Sequence, residues 1–260
     1  MFKKIIKFTV LSVLCVFVIF ALIEIKSSSP AAVLSQLSRQ GKLDSRNINL
    51  KLNYLAVIPV GEANLRNLGK EKFRGEELVH LRGEAKTFDY VRSMFHAKAV
   101  VDSYSDPREK HSVYFLQHLE MINKPDEDKE LHYDQKRHVM TYKGPRGTEE
   151  RVIEEGSQDP LSAIMYLQEN KFDPGEEFSL NFNTNQKNYV LKGKFLANEY
   201  IKIRDKDYEM SVVEARVGRK DKNPRHQTSF KIWFLKTGGS KIPILLKAMT
   251  NVGPIVARAQ

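Results

Sequence analysis

From Leu50 to the C-terminus, apolar and polar residues alternate with a period of two over short runs. Clusters of Asp, Asn, Gly, Pro and Lys break the runs apart. Such a pattern predicts strands joined by turns. "EELVHLRGEAK" reads as one strand, and "HAKAVVDSYSD" with "KHSVYFLQHLEMI" as a pair across "SDPREK". "KELHYDQKRHVMTYK", "EFSLNFNTNQKNYVLKGKF" and "EYIKIRDKDYEMSVVEARVGR" read as hairpins, and "EERVIEE" as a short strand. "LKLNYLAVIPVGEANLRNL" reads as two strands broken at Pro59 to Gly61, where the proline and Gly61 make a bend or bulge and not a flat hairpin. In the last ribbon Phe230, Ile232 and Phe234 share a face, and Ile242, Ile244, Leu246 and Ala248 line another. Pro243 has no N–H to give a ladder, so its strand is expected at an edge or at a bulge.

One segment breaks the period. In "SQDPLSAIMYLQENKFDPGEEF", Asp159 stands as an N-cap and Pro160 takes the first helical position. Leu161, Ile164, Met165 and Gln168 then fall on one face of a short helix. The expected fold is mainly β: a curled antiparallel sheet or half-open β-barrel of about ten or more strands, because a sheet this wide must curl. The helix lies over its concave face.

The first thirty residues differ again. Lys3, Lys4 and Lys7 precede an apolar stretch from Phe8 to Ile23. This marks residues 1–30 as a targeting segment, with two main fates open: a cleaved signal peptide, or a single anchor using residues 5–25 as its membrane partner; a lipoprotein leader ending at Cys15 fits less well, because Leu14 before it is large and the apolar run continues past it. Each sends the remainder out of the cytoplasm, to the periplasm or cell envelope. Residues 31–49, "AAVLSQLSRQGKL" included, read as a brief helix or a linker. Residues 50–260 form the β-rich domain.

Composition narrows the chemistry. The chain has 260 residues, a formal net charge of +10 and one cysteine, Cys15, inside the apolar leader. The exported part has no thiol for a disulfide or a thiolate metal site. Its basic residues are scattered among acids with no basic run, so nucleic acid is not an expected partner. The seven histidines have no metal-binding spacing. No nucleophile elbow surrounds Ser162, and neither Glu154-Glu155 nor Glu176-Glu177 has an apolar setting to split its pKa values. No metal, cofactor or catalytic residue is expected, and the reading is non-enzymatic.

Four stretches, in order, carry a resemblance: "GEANL" from Gly61, "DPLSAIMYL" from Asp159 to Leu167, "IWFLKTGGSKIPILLKA", and "VGPIVARA". On these the chain resembles the bacterial envelope domain-of-unknown-function family numbered three thousand one hundred and eight. It departs at the turn Lys236-Thr237-Gly238-Gly239, where relatives often have an Asp. The family implies an envelope location and no established activity. The closing ribbon also looks like that of LolA-type periplasmic lipoprotein carriers, half-open barrels that hold acyl chains under a helical lid, a likeness of fold alone. On this reading Leu161, Ile164, Met165, Phe178, Phe182, Phe230, Trp233 and Phe234 would line a greasy interior. It would be either packed solid or hollow enough for a lipid, lipoprotein or other amphiphile. The other reading is a scaffold that recruits a protein partner through a sheet edge near Pro243.

Overall fold

The computed structural model describes residues 29–40, 44–55, 58–91, 96–108, 110–184, 187–220, 228–238, 240–250 and 253–260. The targeting segment, its membrane span at 5–25 included, lies outside the described residues. Among the described residues no helix is long and apolar enough to cross a membrane.

The alternating segments become two antiparallel meanders. The first runs β1 (Asn47–Tyr54), β2 (Ile58–Phe73), β3 (Glu76–Thr87), β4 (Ala97–Ser105), β5 (Ser112–Met121), β6 (Glu127–Asp134), β7 (Val139–Gly144) and β8 (Gly147–Val152), each paired with the next. The second runs β9 (Glu177–Thr184), β10 (Lys187–Phe195), β11 (Glu199–Ile203), β12 (Lys206–Arg219), β13 (Thr228–Thr237), β14 (Ser240–Thr250) and β15 (Gly253–Ala259). Strand β12 is shared lengthwise along one edge: Lys206 to Met210 pair with β11, and Val213 to Arg219 with β10. The meanders join where β1 pairs with β15, Leu50 opposite Ala259. One sheet results, in the order β8 to β1, then β15, β14, β13, β12, β10, β9.

This order forces the curl. Consecutive strands β8 and β9 sit at opposite ends of the sheet. If it were flat, they would be roughly 60 Å apart at about 4.8 Å per strand step. Yet Gln158, just past β8, donates its backbone N–H to Asn181 O at 2.9 Å and accepts the Asn183 N–H at 2.8 Å. Tyr133 Oη on β6 also reaches Asn183 O at 3.4 Å. The two ends therefore approach each other, although β8 and β9 do not pair and the ladder stays open.

The connection between them carries α2 (Pro160–Glu169), with Asp159 as N-cap and Pro160 opening the helix as the sequence predicts. It packs on β3, β4, β9 and β14, bridging both halves of the trough. Leu161 and Met165 join a core with Leu81, Val101, Phe115, Leu131 and Met140, whereas Leu167 joins the larger core of β9 to β15. Gly83 makes room for the helix: a Cβ there would stand 3.3 Å from the Leu161 side chain.

The structure decides between alternatives at three places. The stretch read as a helix or linker carries α1 (Pro30–Gln40), whose Val33, Leu34 and Leu37 are buried in the larger core. Its contacts with β11, β14 and β15 make it part of the packed domain. Pro59 to Gly61 form the expected bulge, where the register to β1 shifts between Leu52 and Asn53, but they lie within β2 and the break between the two strands comes earlier, after Tyr54. Pro243 is not at an edge. Strand β14 is paired on both sides, and Pro243 sits at the β13–β14 register shift that the missing N–H demands. Buried residues run consecutively through 210–213, 232–235 and 242–246. Successive residues face opposite sides of a sheet, so both faces are covered here.

Candidate functional site

A cleft of about 420 Å³ lies beside α2. Ile48, Leu65, Leu81, Leu161, Ile164 and Met165 supply its apolar wall, from β1, β2, β3 and the helix. Ser45, Arg46, Asn67, Lys110, Gln168, Glu169, Ser240 and Lys241 supply the polar part. Arg66 and Arg82 border it too. They are opposite each other in register, one position out of phase with Leu65 and Gly83, which face the helix. Their guanidinium groups accordingly belong to the other face, where Arg66 pairs with Glu84, and Arg82 with Glu84 and Asp102.

Of the eight residues expected to line an interior, the structure brings Leu161, Ile164 and Met165 together on the cleft. Phe178, Phe182, Phe230, Trp233 and Phe234 do not border it; they are buried in the larger core. Phe178 lies against Gly193, whose added Cβ would be 2.4 Å from the ring. Trp233 donates its Nε1–H to Glu199 Oε2 at 3.0 Å, with Lys231 Nζ and Lys247 Nζ at 4.8 and 5.3 Å from its ring centre. A ring so enclosed has no face to offer a stacked ligand.

The cleft residue that sequence reasoning missed is Lys241. Its Nζ donates to Asn170 O, at the C-terminal cap of α2, at 2.6 Å. It lies 4.8 to 5.8 Å from the ring centres of Phe195, Phe172 and Phe234. Gln168 Nε2 in turn donates to Lys241 O at 3.0 Å. Burial, helped by the nearby Lys236 charge, pulls the Lys241 pKa down to about 8. Its only sequence signal is its place in the quoted "SKIPILL", two residues before Pro243. Arg46, from the chain just before β1, and Lys110, from the β4–β5 loop, carry no local signal because distant segments bring them there.

The other end of α2 is pinned differently. Asp159 is fully buried. Its Oδ1 accepts the Leu161 and Ser162 N–H groups at 2.8 and 3.0 Å, and its Oδ2 accepts Ser103 Oγ and Ser112 Oγ at 2.5 and 2.7 Å. Burial pushes the carboxyl above its ordinary range, and these donors oppose the shift. The serine hydroxyls tie the carboxylate to β4 and β5 while its other oxygen caps the helix, so the arrangement anchors the start of α2. Among the described residues, no group of three His, Cys, Asp or Glu is placed to hold a metal ion.

On the opposite face of β2 to β4, His80 is buried between Asp102 and Glu71. Its Nε2 is 2.7 Å from Asp102 Oδ1, and its Nδ1 is 3.1 Å from Glu71 Oε1. Its ring stacks on Tyr104 at 4.4 Å. Burial opposes its charge, but the two carboxylates outweigh burial and raise its pKa.

Taken together, these features define a class: an open, curled β-sheet protein plugged by an anchored helix, with an amphipathic cleft beside the plug. The chain belongs to the DUF3108 family, proteins of unknown function, which matches residues 49–260. A search of the curated proteins finds no match. Among solved structures, the β-barrel-like DUF1849 protein from Brucella abortus aligns with a TM-score of 0.55 at 8% identity, over 82% of this chain and 94% of that one. That likeness is one of fold. The hypothetical lipoprotein YmcC from Escherichia coli aligns at 0.33 and 9% identity, over 90% and 98% of the two chains. An exported protein with a YmcC-like fold from Bacteroides fragilis aligns at 0.34 and 8%, over 84% and 95%. These two scores are too low to define a shared fold.

Proposed function

We propose that this chain is an exported envelope protein that holds an amphiphile, either a lipid or a lipoprotein acyl chain, in the cleft beside α2, and performs no chemistry on it. One observation carries the reading. A half-open cleft of about 420 Å³ has Ile48, Leu65, Leu81, Leu161, Ile164 and Met165 along one wall and polar side chains along the other. That volume is within the range of small-molecule sites. Each methylene moved from water onto such a wall contributes about 0.8 kcal/mol. The basic, apolar leader supports export, and the likeness of the closing ribbon to LolA-type carriers adds an analogy of fold.

Native mass spectrometry of the full chain, extracted from membranes in mild detergent, tests the reading. A lipid or fatty acid should co-purify, and Ile164→Asp should release it. A protein that emerges empty and takes up no added phospholipid or fatty acid would refute it.

A second reading, recruitment of a protein through a sheet edge, shifts from Pro243 to β8. That strand pairs only with β7 and has Val152 74% exposed. Capture of a partner that Val152→Lys abolishes, with the cleft empty, would favour it.

A further inference from the structure

The cleft bears an electrostatic imbalance that says more about its occupant. Arg46, Lys110 and Lys241 line it, against one acid, Glu169. Glu169 is bound to Lys110 at 3.0 Å. Arg66 and Arg82 are matched on the far face by Glu84 and Asp102. Among the described residues Arg46 and Lys241 have no such carboxylate within ion-pair reach; Arg46 is exposed, whereas Lys241 is half-buried. The charged neighbour that acts on it is Lys236, a cation already paired with Glu209 at 2.6 Å. Three phenylalanine rings and the Asn170 carbonyl surround the ammonium. The carbonyl, at the C-terminus of α2, takes one of its three donors and offers the partial negative charge of a helix end. That explains its position but does not neutralise it. Charges withdrawn from water are ordinarily paired.

We propose, resting on the reading of the cleft as an amphiphile site, that its occupant carries an anionic head and that the head seats against Lys241. The alkyl chain then runs along α2 toward Leu161, about 10 Å away at 1.5 Å per residue from Gln168. Leu161, Ile164 and Met165 lie on this path, and Leu65 and Leu81 complete its wall. Lys110 and Arg46 add positive potential at the mouth. A neutral head would leave the Lys241 charge as unmatched as before.

The test uses the full chain in nanodiscs of phosphatidylcholine, with empty nanodiscs as blank. Two fluorescent probes differ only in charge: dansylamino-undecanoic acid and its primary amide. The wild type should bind the acid about tenfold tighter than the amide, the scale of one charge-assisted hydrogen bond. Lys241→Met should bring the acid down to the level of the amide and leave the amide unmoved. Lys241→Arg should keep the preference, as should Lys202→Met on the exposed face of β11. Equal binding of acid and amide by the wild type overturns the inference while the amphiphile reading stands. So does a preference that survives Lys241→Met. Should Lys241→Met not fold, the wild-type ratio decides alone. If neither probe binds, the amphiphile reading falls and takes this inference with it.

Discussion

Ser112 Oγ grips Asp159 from two sides: it accepts the Asp159 backbone N–H at 2.6 Å and donates to Asp159 Oδ2 at 2.7 Å. A β5 side chain thus fixes both the charge and the backbone at the start of α2. Asp159→Ala removes a helix cap and strands the hydroxyls of Ser103 and Ser112 in a dry site. The expected loss is about 3 kcal/mol, and Ser112→Ala should cost about half of that. Urea unfolding, followed by the fluorescence of the single tryptophan, Trp233, measures both. A loss below about 1 kcal/mol for Asp159→Ala would show that α2 is held by its apolar face alone.

Ile164 and Phe230 should respond differently to a carboxylate. Ile164 is half-buried on the cleft, whereas Phe230, on β13 between β12 and β14, is buried in the larger core. Ile164→Asp should fold and lose bound amphiphile. Phe230→Asp buries an unpaired charge and should not fold stably. Thermal melts and native mass spectrometry of both variants check this. A stable, empty Phe230→Asp protein would return that residue to the binding surface.

His80 gives stability a pH dependence of known sign. Its pKa is raised in the folded chain, because Asp102 and Glu71 outweigh burial. Its stabilising contribution is therefore complete below the unfolded value near 6.5 and is lost as pH rises through the folded value. The unfolding free energy of the wild type relative to His80→Gln should be greater at about pH 5.5 than at about pH 8.5. A difference that is flat, or that grows with pH, contradicts the placement of both carboxylates.

Gly193 tests how closely the large core is packed. An alanine there would place its Cβ 2.4 Å from Phe178 Cζ and 2.7 Å from Ala215 Cβ. Gly193→Ala should destabilise by about 1–3 kcal/mol despite the intrinsic strand preference against glycine. The double variant Gly193→Ala, Phe178→Leu should recover part of it. Denaturant midpoints report both effects.

Much of the sheet is legible in the sequence because hairpins are local. "KELHYDQKRHVMTYK" becomes β6 and β7, with Tyr133 opposite Met140. The cap at Asp159 is legible because its donors at Leu161 and Ser162 are close in sequence. What escapes the sequence is what distant segments make together. Nothing near Leu50 announces Ala259 as its neighbour. The apolar residues Val33, Leu34 and Leu37 are too few to separate a docked helix from a linker. The cleft splits the candidate list for the same reason. Leu161, Ile164 and Met165 share a helix face, but which strand residues oppose a void rather than a packed ring depends on the curl of the whole sheet. Lys241 was equally hidden, since nothing in its neighbourhood reveals that its ammonium would be surrounded by Phe172, Phe195 and Phe234.

The seam between β1 and β15 is a keystone made of strands far apart along the chain. On one side the first strand is bordered by its immediate successor, and on the other by the last strand of the second meander, Leu50 to Tyr54 against Ala259 to Ile255. Without those few residue pairs the two meanders would still be tied by α2 and its connection, but they would share no ladder. A charge or proline placed at Leu52 or Ala257 would therefore strike at the continuity of the whole wall and not at one strand.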